Sequence, residues 1–261
     1  MARYQTRKLR MALVRSYPAK GDLRANAERL QSILADLAPQ RPDVVITPEC
    51  WLDGYVVTRS DVTRASLRRW AVDADSPWVR PVAEWAARHR CWVILGCTRP
   101  VRGGCMNSAL IFNRHGRLAG IYDKLHLNGP DRKFIRGRAL PVFRGDFGKF
   151  GVMICADRRR PETARSLALG GALVIFNPTY GATDEQNLWL MRTRSFESEV
   201  AIAMAHPGQS LITDAEGQVV VNEVAAMPAF SVGEVNLQLV RAVRAAHNSF
   251  LRRRRPDVYR R

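Results

Sequence analysis

The chain has 261 residues, of which 46% are hydrophobic, 8% aromatic and 25% charged. That balance is close to the globular average and excludes collagen-like, low-complexity and wholly disordered classes; a chain this long can bury roughly 70 to 75% of its unfolded surface. The net charge of +17 would suggest an anionic partner, but about half of the excess lies in residues 1–10 and 251–261, which read as solvated tails.

Residues 9–14 read as a first strand. Asp22 can cap a helix whose apolar positions Leu23, Ala27, Leu30, Leu34 and Leu37 share one face. Residues 43–47 form a short β-branched run that Pro48 ends. A helix over 79–90 and a strand over 92–96 follow. Residues 108–112 and 118–122 flank Asn113-Arg-His-Gly116, which has the turn chemistry of a hairpin, so the sheet is expected to be mixed. A strand over 151–155, a helix opened by Pro161, a strand over 172–176 and a helix over 184–199 come next. Short strands surround Asp214-Ala-Glu-Gly217, and a last helix spans 237–252.

Strands that alternate with helices and also form hairpins predict an α/β fold of two mixed sheets with helices on their outer faces. One domain over 9–251 is expected, with a basic extension at 1–8 and a basic tail at 252–261. The apolar runs fall far short of the roughly 18 to 20 residues that a membrane-spanning helix needs. The N-terminus lacks the apolar stretch of a secretory leader. These features lead to the expectation of a cytoplasmic protein without a membrane partner. Five cysteines, an odd number with no Cys-x-x-Cys pair, point to neither a disulfide framework nor a metal site.

Glu49, Lys124 and Cys155 each lie at or beside the end of an expected strand, where side chains from different strands can converge on one crevice. A free thiol, with a pKa near 8.5, is only a few per cent thiolate at pH 7, so an adjacent base and cation would raise its reactivity.

The strings around these residues are Thr47-Pro-Glu-Cys-Trp-Leu-Asp-Gly-Tyr55, Tyr122-Asp-Lys-Leu-His-Leu127 and Gly151-Val-Met-Ile-Cys-Ala-Asp-Arg-Arg-Arg-Pro-Glu162. In order and separation they resemble the three signature segments of the nitrilase superfamily of carbon-nitrogen hydrolases. The resemblance extends over nearly the whole chain, through Asn107-Ser108, Asn177-Pro178 and Arg192-Thr-Arg-Ser-Phe-Glu197. It implies a four-layer αββα sandwich that forms a homodimer or larger homo-oligomer, with a Glu49-Lys124-Cys155 triad and no metal or organic cofactor. In the mechanism it implies, Glu49 takes the thiol proton and the sulfur attacks an amide-type carbonyl. Lys124 and the backbone N–H of Ala156 form the oxyanion hole.

Relatives commonly carry a second glutamate shortly before a Phe-x-Pro-Gly-like turn. Here the turn is Phe134-Ile-Arg-Gly137, the matching position is Pro130, and Asp131 beside it is the candidate replacement, with a role in closing a polar loop as the alternative. The nucleophile is followed by Ala156-Asp157 instead of the Trp-Glu of the nitrile-hydrolysing branch. Cys155-Ala-Asp-Arg-Arg-Arg-Pro-Glu162 is more similar to the N-carbamoyl-D-amino acid amidohydrolases, in which paired arginines grip a substrate carboxylate. Arg158 and Arg159 are the candidates for that role; the alternative for Arg159 is an ion pair with Glu162 or Glu197. Tyr55 and His206 complete the candidate substrate-binding set.

The expected function is hydrolysis of an amide or N-carbamoyl bond in a small, acid-bearing molecule through a thioester. The alternative is a catalytically weak protein on the same scaffold that binds a polyanion such as nucleic acid through its basic surface.

Overall fold

The computed structural model describes residues 8–181, 185–224 and 227–259. One sheet contains β1 (Lys8–Val14), β2 (Val44–Ile46), β3 (Trp92–Val101), β4 (Gly104–Phe112) and β5 (Leu118–Asp123). The second contains β6 (Val142–Gly145), β7 (Gly148–Val152), β8 (Val174–Pro178), β9 (Ala201–His206), β10 (Gln209–Thr213) and β11 (Val219–Glu223), and β12 (Phe230–Asn236) returns to the first. The orders are β12-β1-β2-β3-β4-β5 and β11-β10-β9-β8-β7-β6. Both sheets are mixed: β1, β2 and β3 run parallel, as do β7, β8 and β9, while their outer neighbours are antiparallel.

The two-residue period of a strand accounts for the layering. In β1, Met11 and Leu13 face the second sheet, where they join Ile46, Ile94, Phe150, Val152, Phe176 and Ala203 in the central core. Ala12 and Val14 face outward, onto Leu30 and Leu34 of α1 (Leu23–Leu37) and Val82 and Trp85 of α2 (Arg80–His89). The second sheet is covered in the same way by Leu167 of α3 (Pro161–Leu169) and Met191 of α4 (Glu185–Ser198). Leu237 and Val240 of α5 (Leu237–Ala245) insert at the edge of the central core. The fold is an αββα sandwich. As expected, Asp22 caps α1, accepting the Ala25 N–H at 2.9 Å.

Four local expectations change. β3 runs beyond Gly96 to Val101 and turns back through Arg102-Gly103 into β4; Gly103, at φ +83°, supplies the left-handed step. β7 ends at Val152, so Cys155 lies beyond the strand and not at its last position. α5 stops at Ala245 and not near 252, because Ala246 is extended (ψ 149°) and the Glu199 carboxylate holds the Ser249 hydroxyl at 2.7 Å and the Phe250 N–H at 2.6 Å. Lys8 already pairs with Asn236 in the sheet and is not part of a tail. Residues 1–7 and 260–261 of the basic ends, and Asp184 of the expected helix, lie outside the described residues. Among the described residues no helix is long and apolar enough to cross a membrane.

Candidate active site

Glu49 follows β2 across Thr47-Pro48 and is completely buried. The chain can turn there because Gly96 of β3 has no side chain: a Cβ at that position would overlap the Pro48 carbonyl oxygen and lie 3.1 Å from Glu49 Cα. Lys124 follows β5 and is anchored by its own backbone. Its N–H donates to the Asn107 carbonyl and its carbonyl accepts the Gly137 N–H, both at 2.9 Å. Gly137 is again a place where only a bare backbone fits, against the Asp123 carbonyl.

The Lys124 side chain, 1% exposed, donates from Nζ to Glu49 Oε1 at 2.6 Å and to Asp131 Oδ2. Asp131 lies in a 3₁₀ turn, Gly129–Lys133, and also accepts the Tyr55 hydroxyl at 2.8 Å. The side-chain amide of Asn107 donates to Glu49 Oε1 at 2.7 Å. Oε1 is therefore held twice, whereas Oε2 is buried with no hydrogen-bond partner among the described residues. Burial disfavours the Lys124 ammonium, but the charges of Glu49, Cys155 and Asp131 outweigh it and raise the amine above its ordinary value. Burial and the Glu49 charge push Asp131 up to about 6, against the pull of Lys124. Burial, then Glu49 and Asp131, hold Tyr55 far above the ordinary phenol range.

Cys155 starts a 3₁₀ turn, Cys155–Arg159, at φ +44°, a left-handed conformation that strains a residue with a Cβ by about 1 to 3 kcal/mol. Asp157 over-determines the turn. Its Oδ2 accepts the Ile154 N–H at 2.9 Å and the Tyr122 hydroxyl at 2.7 Å; its Oδ1 accepts the His126 N–H at 2.9 Å and lies 2.7 Å from His126 Nδ1. The first hydrogen bond of the turn runs from the Asp157 N–H to the Ile154 carbonyl at 3.0 Å, which leaves the N–H groups of Cys155 and Ala156 without a partner inside the turn. The half-buried thiol donates to the Tyr180 carbonyl at 3.9 Å and lies 3.4 Å from Arg158 Nη1. Among the described residues no hydrogen bond joins the sulfur to Glu49 or Lys124. It is linked to Lys124 through charge, and to Glu49 through Arg158 and Thr179, whose carbonyl accepts the Glu49 N–H at 3.4 Å.

The structure thus gathers Glu49, Lys124, Asp131 and Tyr55 into one hydrogen-bonded cluster and places Cys155 beside Tyr180, whose ring lies 4.8 Å from that of Tyr55. Three substrate-binding expectations change. Arg159 is exposed. A 3₁₀ turn rotates successive residues by about 120°, so neighbouring arginines cannot both face one cleft. Neither expected ion pair of Arg159 forms; Glu197 pairs with Arg194 at 2.8 Å. Arg158 is buried, with Nη1 on Thr179 Oγ1 at 2.7 Å and Nη2 on Asn187 Oδ1 at 2.6 Å, so its fork is not open to a carboxylate in two-pronged fashion. His206 is fully buried in the tight β9–β10 hairpin. Its Nδ1 accepts the Gly208 N–H at 2.9 Å and its Nε2 lies 2.8 Å from the Gly181 carbonyl, so both ring nitrogens serve backbone. Asn107, Asp157, Gly96 and Gly137 were missed as supporting residues. A polar pair in the middle of an apolar strand, Asn107-Ser108, was the one available signal.

The carbon-nitrogen hydrolase family model matches residues 10–245, which span the described layers of both sheets. The chain belongs to that family, within the nitrilase superfamily. It is 26% identical to a Schizosaccharomyces pombe protein named as a probable nitrilase, over 97% of this chain and 98% of that one. It is 25% identical to the omega-amidase of Saccharomyces cerevisiae, over 97% and 96%. A mutant of the Nesterenkonia amidase from the nitrilase superfamily superposes with a TM-score of 0.79 at 21% identity, covering 96% of this chain and 95% of that one.

Proposed function

We propose that this carbon-nitrogen hydrolase cleaves a primary amide of a small molecule through a Cys155 thioester. The observation that carries the reading is Glu49 Oε2, a sealed carboxylate oxygen with no partner among the described residues, while the other oxygen is fixed by Lys124 and Asn107. Such an oxygen is placed to take a proton, and its fixed partner keeps it aimed. Glu49 takes the thiol proton, and the sulfur adds to the carbonyl carbon. The oxyanion is met by Lys124 Nζ and the Ala156 N–H, each donor worth roughly 3 to 4 kcal/mol in the transition state. Ammonia leaves with the proton that Glu49 holds. A water deprotonated by the same carboxylate then cleaves the thioester and frees the acid and the thiol.

An amide is favoured over an N-carbamoyl amino acid because the Arg158 fork is occupied and Arg159 faces solvent. The half-buried thiol beside wholly buried partners suits a small acyl group. The proposed partner is a second copy of this chain, covering the half-exposed Trp189 and Phe196 of α4; a monomer in sedimentation velocity at micromolar concentration would overturn that part. The chemistry is tested with purified protein and a panel of small primary amides. Ammonia release and a transient acyl adduct in intact-mass spectra are expected, both lost in Cys155→Ala. Turnover that survives this substitution rules the mechanism out.

A further inference from the structure

Arg158 is a desolvated cation to which the hydrolytic scheme assigns no role. It is 2% exposed, and its two oxygen partners, on Thr179 and Asn187, are neutral. Its Nε is buried without an acceptor among the described residues. Nearby carboxylates are committed elsewhere: Glu197 to Arg194, Glu49 and Asp131 to Lys124, and among the described residues none lies within ion-pair distance of Arg158. A buried charge without a counter-charge is strongly unfavourable, so a fold that keeps one has an anion in its vicinity for part of its working cycle.

Among the described residues the one ionisable group within hydrogen-bond distance of the Arg158 side chain is the Cys155 sulfur, 3.4 Å from Nη1. The contact follows from the local fold, since side chains at i and i+3 eclipse in a 3₁₀ turn and the turn spans Cys155–Arg159. The charges facing the sulfur make the need concrete. Lys124 and Tyr55 interact with the sulfur directly through charge, Glu49 and Asp131 are the carboxylates bonded to that lysine, and His206 lies against Gly181. Two carboxylates and one ammonium leave that cluster at −1 when all three are ionised, which opposes a negative sulfur. Arg158 brings the sum to zero before the thiol ionises.

We propose that Arg158 is the counter-ion of the Cys155 sulfur. When the thiol proton passes to Glu49, the electron pair of the S–H bond stays on sulfur and is held there by the Nη1–H. The role rests on the reading of Cys155 as nucleophile, yet it concerns ionisation and is measurable without turnover.

The test is the rate at which methyl methanethiosulfonate, a small neutral reagent, labels Cys155 across pH, followed by intact mass with Cys155→Ala as background. The sulfur anion attacks the thio sulfur, a disulfide bond forms and methanesulfinate leaves. The pH profile of the unaltered protein supplies the reference midpoint. Arg158→Met is expected to raise that midpoint by about one unit or more, which slows labelling at pH 7 about tenfold, and Arg158→Lys to recover part of the loss. Identical profiles in a folded Arg158→Met protein overturn the proposal. So does a folded variant whose labelling is unchanged while KM rises only for acid-bearing amides. Should that variant fail to fold, Arg158→Gln, an uncharged residue that can still hydrogen-bond Thr179 or Asn187, is read in the same way, and a profile identical to that of the unaltered protein overturns the proposal. Failure of the hydrolytic reading shows separately, as turnover retained by Cys155→Ala.

Discussion

Asn107 and Lys124 grip the same oxygen of Glu49, at 2.7 and 2.6 Å, the first from β4 and the second from just past the end of its neighbour β5. Together they fix the rotation of the carboxylate and leave its second oxygen free. Asn107→Leu is therefore expected to lower kcat about tenfold with little change in KM, because only the aim of the base is lost. The side-chain oxygen of Asn107, Oδ1, is itself buried with no hydrogen-bond partner among the described residues, so removing it offsets the lost hydrogen bond and stability should change by less than about 1 kcal/mol. Steady-state kinetics and denaturant melts on one preparation check both statements.

Asp131 holds Lys124 only while ionised. Since burial and the Glu49 charge push it up to about 6, kcat/KM is expected to fall as pH drops through that region, when protonation weakens the grip on the ammonium. Asp131→Asn should lower activity at pH 7 by about a hundredfold and remove that acid limb. An unchanged pH profile in the variant would show that another group sets it.

Gly96→Ala places a methyl group against the Pro48 carbonyl and within 3.1 Å of Glu49 Cα. The contacts are backbone and cannot rotate away, so a loss of about 1 to 3 kcal/mol is expected, together with a fall in kcat from displacement of the carboxylate. A thermal melt with parallel kinetics reads both.

His206 affects stability through protonation. Burial, and to a lesser degree the Arg158 charge, lower it to about 4, against the pull of the Gly181 carbonyl. The folded chain thus resists a proton that the unfolded chain accepts near 6.5. The resulting stability is present above pH 6.5 and lost as pH falls toward 4, amounting to about 2 kcal/mol between pH 7 and 5. Urea unfolding of His206→Gln, which cannot titrate, should lack this component when the two pH values are compared with the unaltered protein.

The layered sandwich was legible because strand alternation and helix faces are local: Asp22 as cap, the hairpin at residues 113–116 and the apolar stripe of α1 all behave as their sequence dictates. Glu49, Lys124 and Asp131 were legible through the strings that carry them. Directions of side chains in short turns were not. Arg158 and Arg159 look equivalent on paper, and only the three-residue period of a 3₁₀ turn separates the buried one from the exposed one. His206 was ambiguous for a similar reason, since its partners at Gly181 and Gly208 are backbone groups set by how the hairpin meets the preceding loop. The β3–β4 turn was passed over because Gly103-Gly104 sits in a run without the usual Asn or Asp signal.

Tyr122, two residues before Lys124, donates to Asp157, two residues after Cys155, at 2.7 Å. The base and ammonium thus ride on one slab of the molecule and the thiol on the other, with this buried bond acting as a bolt between them. A slip of one slab along the other by a fraction of an ångström would detune the reaction while leaving every helix intact. On warming, activity should therefore fade at a lower temperature than the circular dichroism of the helices, and Tyr122→Phe should widen the interval.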